Sequence, residues 1–197
     1  VVMALFDCGL PMSFESLLPV LSTQRLDAEG AGFSYLMMSV GAGALVAVVG
    51  LAGVTSESMK GKLFLNLGVL SGLTPAVLAI SGSMPLALLA AMAMGASQAG
   101  FMTITHTMIQ SITADRVRGS VGAVYSVHIG GMMASANLIN GGMADYVDAA
   151  TLLLIGGAGF VVIMFASWQG INLRRIYTRG LQAALAGDKS TRSVTAD

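Results

Sequence analysis

Apolar residues run through this chain in six long stretches separated by short polar segments, with little alternation inside each stretch. The stretches cover about residues 1–21, 33–54, 63–81, 85–109, 119–142 and 149–169. A hydrocarbon core of about 30 Å takes roughly 20 apolar residues of helix to cross, and all six stretches meet that length. The pattern therefore predicts an all-α polytopic membrane protein, with a six-helix transmembrane bundle over residues 1–170 and a tail over 171–197. Within the tail, apolar Ile176, Leu181 and Leu185 are interspersed with basic Arg174, Arg175 and Arg179. That predicts a short amphipathic helix on the membrane surface over Ile171–Ala186. Lys189–Asp197 is polar and predicts a disordered end.

Composition supports the same solvent. Hydrophobic residues make up 55% of the chain and charged residues 10%, with mean hydropathy +0.78. A soluble domain carries about 25% charged residues, so this chain cannot cover its surface in water and its first partner is the lipid bilayer. The formal net charge is zero, which gives no case for nucleic acid. The single Cys8 lies in an apolar run and reads as a packed thiol. Val1 begins inside an apolar stretch, so the expectation is a fragment with further sequence upstream.

The few charges orient the bundle. Arg25, Asp27 and Glu29 follow the first stretch; Glu57, Lys60 and Lys62 follow the second. Asp115, Arg116 and Arg118 precede the fifth, and Asp145 and Asp148 follow it. The second and fourth loops and the tail together hold nine of the ten basic residues. Lys and Arg favour the cytoplasmic side, so the tail and both ends of the bundle are expected there. The alternation also supports six spans, because a missed or false one would scramble it.

Two motifs carry a resemblance. Asp115-Arg116-Val117-Arg118-Gly119 opens the fifth stretch and Gly141-Gly142-Met143-Ala144-Asp145 closes it. With six helices, cytoplasmic ends and a basic loop after the second helix, residues 1–180 resemble the C-terminal half, helices seven to twelve, of a major facilitator superfamily transporter. The two motifs are similar to those of bacterial exporters of the enterobactin and macrolide type. The loop Gly53–Lys62 departs from the family's usual pattern by lacking its central Arg, although it keeps a Gly, an acid and two lysines. The resemblance implies efflux of a small organic solute across a bacterial inner membrane by alternating access, with a missing N-terminal six-helix half as partner; a complete chain of this size would instead pair with a second copy.

Several residues could serve such a mechanism. Asp7 and Glu15 lie inside the first apolar stretch, where a carboxylate is costly unless it meets a cavity or partner. A carboxyl group held away from water can take up a proton near neutral pH, and one alternating between two vestibules would couple protons to solute. Gly9 and Pro11 weaken the same helix and free carbonyls beside it. His106 and His128 can titrate near neutral pH, though each fits a structural hydrogen bond as well. Gln98 and Asn137 suit either the solute path or helix–helix contact; Asn140 lies near the end of its stretch. Asp115, Arg116 and Arg118 read as a structural cytoplasmic loop, with Asp115 capping the fifth helix. Gly41, Gly43, Gly95, Gly100, Gly130 and Gly131 suit close helix packing. No cofactor and no metal is implied, since the two histidines lack further ligands at suitable spacing. The absence of a nucleotide-binding motif favours protons as the driving force. A non-transporting scaffold or sensor is the alternative function. An enzyme is not expected: Ser126 with His128, or Ser135 with His106, would be the dyads to consider, but no Gly-x-Ser-x-Gly or His-Glu-x-x-His motif accompanies them.

Overall fold

The computed structural model describes residues 2–24, 26 and 31–169, and the amphipathic-tail expectation lies outside them. Seven α-helices occur among the described residues: α1 (Val2–Gly9), α2 (Leu18–Gln24), α3 (Ala31–Leu51), α4 (Glu57–Ala79), α5 (Met84–Ile112), α6 (Arg118–Met143) and α7 (Ala149–Gln169). A 3-10 turn, Asp115–Val117, leads into α6. Four of the helices, α3, α4, α5 and α7, are long and apolar enough to cross a membrane. α6 has the length, but Ser120, His128, Ser135, Asn137 and Asn140 lower its hydropathy.

The first expected span, 1–21, is not one helix. It divides into α1 and α2, joined by turns over residues 10–17. Pro11 explains the break locally. It has no N–H to donate to the Asp7 carbonyl, and the Met12 N–H takes that role at 2.9 Å. The wider turn ends regular α-helix.

The third span also differs from expectation, since α4 begins at Glu57 rather than Leu63. Its polar first turns hold an ion pair, Lys60 Nζ to Glu57 Oε1, at 2.8 Å. Glu57 also places negative charge at the positive end of the helix dipole. The last span coincides with α7 over Ala149–Gln169.

Glycines set the tightest crossings. A Cβ on Gly43 would strike the Met92 carbonyl, and one on Gly95 the Val40 carbonyl, so α3 and α5 meet backbone to backbone. Gly72 and Gly157 bring α4 and α7 together in the same way. Gly41, Gly130 and Gly131 meet nothing within 4 Å, so the packing role expected of them is not realised among the described residues.

Two apolar clusters lie at opposite ends of the bundle. One gathers Phe14, Leu17, Leu18, Leu21, Leu36, Leu78 and the starts of α5 and α7. The other holds Phe64, Phe101, Ile104, Met108, Phe160 and Met164. Phe101 is at its centre, tilted against Phe64 at 4.7 Å and edge-on to Phe160 at 5.8 Å. Between the clusters lies a level of buried polar side chains: Asp7, Ser71, Thr74, Ser97 and Gln98.

Candidate functional site

The polar level is built around the break in the first helix. Asp7, wholly buried on α1, accepts a hydrogen bond at one carboxylate oxygen from the Ser71 hydroxyl of α4. Its Oδ2 has no hydrogen-bond partner among the described residues. Beside it, Thr74 of α4 and Ser97 of α5 bring their hydroxyls to 3.2 Å. Pro75 sits one turn beyond Ser71 within α4 and deprives the Ser71 carbonyl of its helical donor. Two helices are therefore weakened at the same depth, and the carboxylate joins them.

Carbonyls released by the break are met by side chains from elsewhere. Gln98 of α5 donates through Nε2 to the Pro11 carbonyl at 3.0 Å. Asn140 of α6 donates through Nδ2 to the Ser13 carbonyl and Oγ, both at 2.8 Å. The Ser16 N–H donates to Asn137 Oδ1 at 3.3 Å, and Ser13 Oγ returns to its own segment, reaching the Leu10 carbonyl at 3.0 Å. Buried backbone groups in an apolar medium need such partners. The irregular segment is thus held in one shape by three amides from two helices. On its other side Gly156 of α7 lies close enough to the Leu10 carbonyl that a Cβ would be 2.9 Å away.

The residues expected from sequence separate into two groups. Asp7, Gln98 and Asn137 converge on the break, with Asn140 joining them. Glu15 lies within the break, but its side chain is exposed. His106 is two turns farther along α5, where its ring stacks on Tyr125 at 5.6 Å and 8°. His128 is exposed on α6 and places Nδ1 2.8 Å from the Val124 carbonyl. Ser135 donates to the Gly131 carbonyl, and His106 is engaged with Gln110. Asp115 does not cap α6: the capping position is Val117 and has no side-chain cap, while Asp115 occupies the preceding 3-10 turn. It pairs instead with Arg118 at 2.7 Å, both side chains open to solvent; Arg116 is exposed nearby. Among the described residues, no group of three or more His, Cys, Asp or Glu could hold a metal ion.

Sequence reasoning missed Ser71, Thr74 and Ser97. Each is a single hydroxyl in an apolar helix, as Ser39 is, and nothing in the residue pattern separates them.

Apolar helices packed around a buried polar level, one of them broken and re-bonded there, define a multi-pass membrane protein. The family model described as transmembrane secretion effector, a group within the major facilitator superfamily, matches residues 3–185, and the chain belongs to that family. Its role is accordingly that of a membrane-embedded transporter of efflux type, surrounded by lipid and acting on a small solute. No curated protein and no solved structure matches the chain.

Proposed function

We propose that this chain is the C-terminal six-helix half of a proton-coupled exporter of a small organic solute in a bacterial inner membrane. In this reading the α1–break–α2 segment and α6 complete the six spans, and residues 171–197 form the cytoplasmic tail. The bundle works by alternating access against a second six-helix unit, an N-terminal half or another copy. Exposed apolar side chains on α6, among them Val124, Val127, Leu138 and Ile139, support a partner on that side.

One observation carries the proton reading: a wholly buried carboxylate with one oxygen bonded to Ser71 and the other without a partner among the described residues. An ionised carboxylate left so incompletely bonded is strongly disfavoured in an apolar interior, whereas a proton on Oδ2 neutralises it. Moving the level of Asp7 from one aqueous vestibule to the other carries that proton across. The break beside it, where regular helix is lost, supplies the flexible element, and Gln98 and Asn137 hold the segment that moves.

The test uses the full-length parent in proteoliposomes with an imposed proton gradient. Asp7→Asn keeps the size and the Ser71 contact but removes the exchangeable proton. Proton-driven flux is expected to fall at least tenfold, with solute exchange at equal pH retained. Undiminished proton-driven flux in Asp7→Asn excludes this carboxyl from coupling. Absence of any flux in the parent favours a scaffold or sensor.

A further inference from the structure

α6 packs chiefly against α1, and along its first half it leaves clefts facing α5. One, of about 480 Å³, is lined by Thr103, His106 and Thr107 from α5 and by Tyr125 and Ser126 from α6, with Met102 at its wall. A second, of about 350 Å³, continues beyond Tyr125 toward Ile109 and His128. Neither contains the Asp7 level. A larger groove of about 630 Å³ between α4 and α7 is bordered by Leu65, Val69, Leu70, Phe165 and Trp168, with Asn66 as its polar contribution. That lining suits an acyl chain and carries nothing further.

The cleft at His106 has a different chemistry. Four hydroxyls, of Thr103, Thr107, Tyr125 and Ser126, and an imidazole line it, groups that a lipid tail cannot satisfy. Thr103 and Thr107 donate to the carbonyls of Ala99 and Thr103, each at 2.8 Å, so their oxygens remain as acceptors. The Gln110 amide nitrogen can only donate. His106 Nε2 lies 3.1 Å away, and Nδ1 is the ring's second hydrogen-bonding atom. The parallel stack of His106 on Tyr125 gives a rigid, flat aromatic wall. Among the described residues, no Asp, Glu, Lys or Arg lines it. The volume falls within the roughly 300–1,000 Å³ typical of small-molecule sites.

From this we infer that the cleft between α5 and α6 is a solute-binding site for an uncharged, ring-bearing organic molecule with at least one hydrogen-bond acceptor. The ring lies against the His106–Tyr125 wall and the polar substituents meet the hydroxyl-lined side. The inference rests on the transport reading, but the site is separate from the Asp7 level: binding is assigned to α5 and α6, coupling to α1.

The experiment is photolabelling of the full-length parent in proteoliposomes with 4-(hydroxymethyl)benzophenone, an uncharged aromatic alcohol, followed by peptide mapping. Label is expected on peptides around Met102 and Tyr125–Gly130 at five times or more the level on α3 and α7. Excess 1-naphthol should suppress it and 1-naphthalenesulfonate should not. Ser126→Trp fills the cleft and should reduce this labelling at least fivefold. Thr103→Val, nearly isosteric, guards against misfolding of the tryptophan variant and should reduce it at least twofold. Label spread evenly over the lipid-facing helices, indifference to both variants, or equal competition by the sulfonate overturns the site. Asp7→Asn separates the two readings: label retained with proton-driven flux lost supports both, while normal Asp7-dependent flux without cleft labelling overturns the cleft alone.

Discussion

Gln98 is a small test of what holds the break together. Its side chain is buried and its Nε2 meets the Pro11 carbonyl. Interhelical hydrogen bonds in membrane proteins contribute roughly 0.6 kcal/mol on average and about 1.7 kcal/mol at most. Gln98→Leu should therefore fold, with a thermal midpoint in detergent lowered by only a few degrees. If the break is the element that moves, transport in the full-length parent should fall far more, about fivefold or beyond, because the Pro11 carbonyl loses its donor there. A fall in midpoint of more than about 10 °C, with activity lost in proportion, would make Gln98 a folding residue only. The Asp115–Arg118 pair represents the opposite case. Both partners are exposed, and such pairs contribute about 0–1 kcal/mol. Asp115→Asn should leave the thermal midpoint within a degree or two of the parent.

At the scale of elements, the crossing of α4 and α7 leaves no room for a side chain. A Cβ on Gly157 would overlap the Gly72 carbonyl, and backbone cannot move aside as a flexible side chain can. Gly157→Val should destabilise the bundle by about 1–3 kcal/mol or more, read as loss of folded protein in detergent chromatography. Gly41→Ala, with open space around it, is the matched control and should be silent. Much of this level was legible in the sequence. Long apolar stretches located α3, α5, α6 and α7 to within a few residues, because the hydrophobic requirement of the bilayer is imposed residue by residue. The start of α4 was not legible: a helix continues past the lipid when Glu57 and Lys60 pair on its surface, and apolarity marks only the immersed part. Gly9 and Pro11 signalled a weakened first helix. Ser71, which receives the carboxylate, was hidden because its partner lies 64 residues away and neither residue's neighbours encode the pairing.

The whole molecule has a polarity that can be checked directly. The Glu57–Lys62 segment and the Asp145–Asp148 segment lie at opposite ends of the bundle, one at the start of α4 and the other between α6 and α7. Cysteines placed singly at Ser58 and Tyr146, after Cys8→Ala, should be modified by an impermeant maleimide from opposite sides of the membrane. Modification of both from the same side would overturn the topology. The tight Phe64–Phe101–Phe160 packing at one end has a bioenergetic consequence. A carboxyl group that carries protons is a hazard to the cell's voltage unless something bars ions from slipping past it. In the proton-coupled reading, the packed rings of Phe64, Phe101 and Phe160 supply such a stopper. Phe101→Ala should turn an exporter into a leak, seen as a faster collapse of membrane potential in vesicles even when no solute is present.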